Sequence, residues 1–458
     1  MSSSESDCSV SSDEEYCGDN GEEFREEILN SKYALIERIG YGSYSSVWLA
    51  YSIPDDDYYA IKIQNCEDYD EGVFELRILR KIKELKNKHM INIIDGFEII
   101  KKDKIFKKIK KGNKSYNKKV IECRRHICMV LPLMAGSVYS LIKKGSFENG
   151  LNDELLLKSI KTILYSIKDL HTKLKICHTD LKPENILISG KSKYVEELIQ
   201  EYTKYNFNNL FKSNYEKQLK LKEWNPESSN YKKKISKLKS DVFKFCHKNI
   251  LKNMDHIIDN QSSEYQSVDD TTQSSDSNST QSNDKNINDI DHKYLENCKI
   301  LLTDFGSNMK FSDLDDDEIQ TRYYRAPEVI LGLKYNEKID IWSIGCMIYE
   351  LYTGEILFDP DKDKDFSRDF HHLFLIEEIC GEFPKNMIKK SPRNKEFFKN
   401  YKLNCKKKIN MINIETLIKK DNKLSKIIKL LLKMCLVVDP NQRCTISDLI
   451  HLFESDSI

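Results

Sequence analysis

His178-Thr179-Asp180-Leu181-Lys182-Pro183-Glu184-Asn185 is the stretch on which the reading of this chain turns, and it runs into the strand-like Ile186-Leu187-Ile188. Within it a carboxylate, an ammonium and an amide follow at short, fixed spacing. Asp180 is placed to accept or orient the proton of a hydroxyl, and Lys182 to neutralise a phosphate. Asn185, five residues on from Asp180, offers an oxygen to a hard metal ion. A polar loop arrived at by accident would not reproduce eight residues in this order.

Working outward, Leu302-Thr303-Asp304-Phe305-Gly306 adds a second acid beside an apolar run. Asp304 is expected to bridge a metal ion to phosphate oxygens, with Gly306 permitting the turn. Upstream lies Gly40-Tyr41-Gly42-Ser43-Tyr44-Ser45-Ser46-Val47, between two strand-like runs. Its glycines let backbone N–H groups approach phosphates. Taken alone it also suits a plain hairpin turn, and Ser45 stands where a third glycine is usual. Lys62 in Ala60-Ile61-Lys62 sits in an apolar strand, so its ammonium needs an anionic partner. Glu75 on the following helix can supply it, as can Glu71 one turn earlier. Downstream, Glu328 of Tyr324-Arg325-Ala326-Pro327-Glu328 is expected to pair with Arg443, and Asp340 to anchor the backbone of the 178–185 loop. Both are structural roles.

Together these residues resemble the signature set of the protein kinases over 33–188 and 299–452. The resemblance implies an α+β, bilobal fold with a small β-rich N-lobe and a larger helical C-lobe. It implies ATP and Mg²⁺ as cofactors. Asp180 and Lys182 would be catalytic, and Asn185 and Asp304 would hold metal. Ile39, Gly40, Gly42, Val47, Ala60, Lys62 and Glu75 would surround or orient the nucleotide. In the run Met129-Val130-Leu131-Pro132-Leu133-Met134, Leu131 takes the gatekeeper position. Pro132 would offer its carbonyl to adenine, and Met134 its N–H. There is no GxxxxGK[ST] phosphate loop.

Finer phrases are similar to the SR-protein kinases of the CMGC group. Thr179 replaces the commoner arginine, as is typical of that family. Ile319-Gln320-Thr321-Arg322, Phe358-Asp359-Pro360 and Ser367-Arg368-Asp369 also resemble it, and so does an insert directly after Ile188. The resemblance implies Arg-Ser-rich splicing-factor tails as substrates, and activity without phosphorylation in 307–325. Arginine-rich substrates want carboxylates near the cleft. Asp313, Asp315, Asp316, Asp317 and Glu318 offer five; a solvated acidic loop is the competing reading. Glu355 and Glu378 match two docking positions, while His371 stands where a third acid is expected and Asp359, Asp361, Asp363 and Asp365 lie nearby. Two other readings remain open, a Clk-like or Dyrk-like enzyme with basic or proline-directed substrates, and a pseudokinase scaffold.

Composition sets the frame. The 458 residues balance 73 basic against 73 acidic side chains, so direct nucleic-acid binding is not expected. Residues 1–31 read as an acidic, Ser-rich disordered tail, 32–133 as the N-lobe, and 134–188 as the first part of the C-lobe. The spacer 189–298 reads as partly helical and then disordered over 259–291, and 299–452 completes the C-lobe. Ten lysines in 101–119 read as a solvated hairpin loop. The thirteen cysteines show no CxxC pair, which suits reduced thiols in the nucleus or cytosol. Neither a secretory signal nor a membrane span is read. A monomer acting on protein substrates is expected.

Overall fold

A computed structural model of the chain describes residues 24–42, 44–111, 114–144, 147–265, 281–282, 292–312, 319–362, 366–405 and 408–455. Alternation builds the first layer. Along β3 (Ser45–Ser52), Val47, Leu49 and Tyr51 share one face of the strand, and Trp48 and Ala50 take the other. The sheet adds β1 (Ile28–Leu29), β2 (Tyr33–Tyr41), β4 (Asp57–Gln64), β5 (Asp95–Lys111) and β6 (Lys114–Leu131). Their spatial order is β1-β2-β3-β4-β6-β5, and all pairs are antiparallel. Helix α1 (Tyr69–Leu85) crosses between β4 and β5 and buries Leu76, Leu79 and Ile82 at helical spacing.

Two sequence expectations are corrected here. The lysine-rich stretch is two paired strands, not a loop, on either side of 112–113, which lie outside the described residues: Ile100 pairs with Arg125, Ile105 with Val120, and Lys111 with Lys114. Lysine carries weak preference against strand, and the interleaved Ile105, Phe106, Ile109, Val120 and Ile121 favour pairing. The fold also begins inside the acidic tail. Phe24 is buried against Trp48 and His126, and β1 extends the sheet. Burial of Phe24 and Leu29 offsets the ordering of a segment whose charge alone reads as solvated.

The C-lobe follows β7 (Met134–Ser137). It opens with α2 (Val138–Lys144), α3 (Asp153–Asp169), β8 (Ile176–Cys177) and β9 (Ile186–Ser189). The insert supplies α4 (Lys193–Lys204), α5 (Phe207–Lys220) and α6 (Tyr231–Tyr265), then β10 (Gln281–Ser282), which pairs with Tyr41 and Gly40 of β2. Within the expected disordered stretch, 259–265 thus continues α6 and 281–282 is a strand; 266–280 and 283–291 lie outside the described residues.

After α7 (His292–Asn297), β11 (Ile300–Leu302) closes a three-stranded sheet in the order β11-β9-β7, and β12 (Met309–Lys310) pairs with β8. Beyond α8 (Pro327–Ile330) comes α9 (Lys338–Thr353), buried from Ile339 to Tyr352 and therefore wrapped on all sides. It packs against α3 and α14 (Lys423–Cys435), and α10 (Arg368–Cys380), α11 (Lys385–Lys390), α12 (Asn394–Phe397), the β13 (Phe398–Lys399) and β14 (Lys402–Leu403) hairpin, α13 (Ile414–Leu417) and α15 (Ile446–Ser455) complete the lobe around the same core. Gly345 sets the α9–α14 distance, because a Cβ there would meet Cys435 Cβ at 2.7 Å.

The insert is not an appendage. Val195, Leu198, Tyr202, Val242, Ile250 and Met254 form one core with Ile36, Leu49, Tyr51, Ala60 and Leu133 of the N-lobe and hinge. Buried His247 ties α6 to β2: its Nε2 reaches the Leu35 carbonyl oxygen (2.8 Å), and its Nδ1 meets the Tyr202 hydroxyl (3.0 Å). Burial lowers the His247 pKa to about 4, so it docks neutral. Among the described residues no helix is long and apolar enough to cross a membrane.

Candidate active site

The site forms where β4, α1, the 178–185 loop and the segment after β11 converge. Lys62 lies on β4 between Val47 of β3 and Met129 of β6. Its Nζ donates to both Glu75 carboxylate oxygens at 2.9 Å and to Asp304 Oδ1 at 3.1 Å. Of the two acids weighed for Lys62, Glu75 is the one it contacts. Burial pushes the Lys62 ammonium down, and the charges of Glu75 and then Asp304 more than reverse this, holding it above its ordinary range. For Asp304, burial works the other way, yet Lys62 and Lys182 keep its carboxyl below the usual range.

The loop after β8 is held from beneath. Asp340 accepts the backbone N–H groups of His178 (2.8 Å) and Thr179 (3.0 Å), and faces His171 Nε2 at 2.8 Å. Burial raises its pKa, and the His171 contact outweighs that, leaving Asp340 depressed. Thr179 adopts φ +65°, and its hydroxyl donates to the Ser307 carbonyl at 2.5 Å. Asp180 Oδ2 lies 2.7 Å from Lys182 Nζ, and its Oδ1 accepts from the Thr321 hydroxyl at 2.6 Å. Asn185 Nδ2 donates to the Asp180 carbonyl at 2.9 Å, which orients the amide. Asp304 and Asn185 thus offer a carboxylate and an amide oxygen beside two ammonium groups. That donor set fits a hard divalent cation and an anionic triphosphate.

The roof and hinge are continuous with the insert's core. Ile39 and Val47 pack against the cluster that holds Ala60 and Leu133. Gly40 pairs with Val47, the Gly42 N–H donates to the Ser45 carbonyl at 2.8 Å, and Leu131 pairs with Ala60. Pro132 and Met134 are half-buried, and Gly190 donates to the Leu133 carbonyl at 3.3 Å.

Beneath the site the fold's logic changes from chemistry to support: Glu328 and Arg443 are fully buried and joined by bonds of 2.7 and 2.9 Å. Arg443 also donates to the carbonyls of Val437, Lys338 and Val438, so each of its donors has an acceptor.

With this arrangement in hand, the protein kinase domain family matches residues 33–199 and 289–452. This is a protein kinase. The kinase is 30% identical over 457 residues, covering 85% of this chain and 80% of the relative, to a protein of Acanthamoeba polyphaga mimivirus named serine/threonine-protein kinase L205. It is 26% identical to serine/threonine-protein kinase SRPK of Physarum polycephalum (81% and 72% covered) and 24% to SRSF protein kinase 3 of Mus musculus (81% and 76%). A kinase domain solved by crystallography matches with TM-score 0.56 at 21% identity, covering 95% of this chain and 99% of that one. The bilobal fold and the assignment as a serine/threonine protein kinase stand on these matches, and this family uses ATP with a divalent metal ion.

For docking the picture is mixed. Glu355 is exposed just past α9, and Glu378 is half-buried on α10. His371 Nδ1 accepts the Asp361 N–H at 2.8 Å, so the ring ties α10 to the 359–362 segment. Asp313, Asp315, Asp316, Asp317, Glu318, Asp363 and Asp365 lie outside the described residues.

Sequence reading missed Glu184. It follows Lys182 by two residues, and burial pushes its carboxyl up to about 7. Its Oε2 is enclosed and has no hydrogen-bond partner among the described residues. Glu350 nearby takes the Tyr324 hydroxyl at 2.6 Å, and its own carboxyl is also raised by burial.

Proposed function

We propose that this kinase phosphorylates serines within arginine-serine repeats, in the nucleus or cytosol, and needs no phosphate on its own 307–325 segment. In this reading Asp180 orients and accepts the serine hydroxyl proton, and Lys182 offsets charge on the transferred group. Asp304 and Asn185 would hold Mg²⁺, which would supply neutralisation of phosphate charge. Lys62, set by Glu75, holds the nucleotide's phosphates.

The observation that carries the substrate reading is Glu184. Half-buried Glu184, two residues from Lys182 and with one oxygen lacking a hydrogen-bond partner among the described residues, supports a receptor for a guanidinium. The names of the Physarum and mouse relatives support the same substrate class. Arg-Ser peptide kinetics test it. Because burial holds the Glu184 carboxyl near 7, its arginine-binding anion fills as pH rises from 6 to 8, so KM for the peptide falls over that range. Glu184→Gln should raise KM about tenfold or more and flatten that pH dependence. Glu378→Ala should raise KM only for long repeats, through docking. Equal kinetics in all three proteins would remove the arginine-serine assignment.

Independence from phosphorylation rests on the unmodified contacts around Thr179. Its hydroxyl bonds Ser307, Thr321 bonds Asp180, and Gln320 bonds Ser343 Oγ (2.8 Å) and the Ala326 N–H (3.0 Å). The platform is therefore tied down by ordinary side chains. Phosphatase-treated protein is expected to keep its activity, and Thr179→Val to lose about threefold to tenfold in kcat, the worth of one hydrogen bond. Treated protein that is inert until an upstream kinase acts on it would refute this.

A proline-directed reading has one observation in its favour. Gln320 has φ +66°, and its carbonyl is taken by Arg325 Nε (3.1 Å) and NH2 (2.9 Å). A substrate residue whose N–H meets that carbonyl finds it occupied, and proline has no N–H to leave unpaired. Ser-Pro peptides outcompeting Arg-Ser repeats would favour this second reading.

A further inference from the structure

The insert carries a groove that the catalytic reading does not use. It lies between the C-terminal end of α5, the 221–230 connection and the first half of α6, and encloses about 540 Å³. Trp224, Leu238, Val242 and Phe245 form its apolar part, with Lys222, Lys234 and Lys237 around them against one acid, Asp241. Phe245 is 56% exposed, a large apolar side chain to leave in water. Charge is lopsided here: between Lys212 and Lys248 there are eleven lysines against four acids.

We propose that this groove is the docking site, within the same chain, for residues 1–23, with Tyr16 on the apolar floor and Asp13-Glu14-Glu15 against the lysines. Those 23 residues hold eight acids and no lysine or arginine, and Tyr16 is their one aromatic side chain. The chain after them is already fastened to α6 by the same kind of pairing. Glu26 meets Lys248 at 2.7 Å, Glu27 meets Lys244 at 3.9 Å, and Arg25 meets Asp255 at 2.7 Å.

Reach is sufficient. From Asp255 back to Phe245 and Lys234, α6 rises roughly 15 and 32 Å. Eight residues of extended chain between Tyr16 and Phe24 span up to about 27 Å, and six more to Val10 add roughly 20 Å. An acidic stretch tethered that close samples the lysine-rich groove at a high effective concentration. Such docking covers Phe245 and balances the insert's charge.

The test uses the full chain with a photoreactive benzoylphenylalanine in place of Tyr16. Irradiation followed by peptide mass spectrometry is expected to give cross-links within one chain to residues 222–245. Three exposed ion pairs are reversed in Lys222→Glu/Lys234→Glu/Lys237→Glu, and the yield should fall about fivefold or more. Phosphorylation of a peptide substrate by that variant should stay at the wild-type level, which checks its fold. If the variant proves inactive, wild-type protein decides. About 0.5 M salt, with a Debye length of roughly 4 Å, should suppress the cross-link. Cross-links that fall elsewhere, that join two chains, or that ignore both charge reversal and salt would overturn the proposal.

Discussion

Asp180→Asn is expected to cut phosphoryl transfer to a serine peptide by about a hundredfold or more, with nucleotide binding little changed. The geometry explains the split. Asp180 faces Lys182 Nζ at 2.7 Å and Thr321 Oγ1 at 2.6 Å, whereas Lys62 is held by Glu75 and Asp304 and makes no contact with Asp180 among the bonds of its Nζ. An amide retains the oxygen that Thr321 bonds, yet it cannot take a hydroxyl proton. It also leaves Lys182 without its anion. Steady-state transfer measured beside the nucleotide Kd from calorimetry separates the two effects. A transfer rate within a few-fold of wild type would remove Asp180 from the chemistry and revive the scaffold reading.

The second large effect is on stability. Arg443→Ala should cost about 3–5 kcal/mol, because it strands the Glu328 carboxylate in a place with no access to water. The loss comprises more than one ion pair, since three backbone carbonyls lose their donor as well. Arg443 also stacks over Trp342, 5.1 Å from the ring centroid, so truncation leaves a void against α9. Chemical denaturation curves measure this directly. The double variant Glu328→Gln/Arg443→Met should be less damaged than the single one, as it removes both charges together. A single-variant loss under about 1 kcal/mol would mean the pair is not a structural tie.

What could be read beforehand, and what could not, follows from where the information resides. Lys62 announces itself because an ammonium in an apolar strand demands an acid, and helical spacing limits the choice to Glu75 or Glu71. Asp340 and Arg443 are visible through short motifs whose members lie close in sequence. Glu184 sits in full view beside Lys182, but nothing in its neighbours says that one oxygen will be enclosed and unpaired. That is a property of the folded surroundings, in which Glu350 of α9, more than a hundred residues away, adds a second carboxylate to the burial that raises its pKa. The insert divides in the same way. Val195, Leu198 and Tyr202 show helical spacing locally, while the surface they cover, Ile36, Leu49 and Tyr51, is a long-range fact. The lysine hairpin is hard to read because its lysines suggest a solvated loop and obscure the period-two pattern of Ile105, Ile109 and Val120.

That hairpin has a consequence for solubility. Only Cys128 to Leu131 of β6 pair with β4, so most of the β5–β6 ribbon projects beyond the sheet, and β5 forms its outer edge. A bare ribbon of that length, with unpaired N–H and C=O groups along its rim, is a template for strands of other molecules, the first step toward fibrils. Ten lysines in 101–119 place like charges on any second copy that approaches in register. Like charge on every copy is one of the devices by which an edge strand avoids pairing with another.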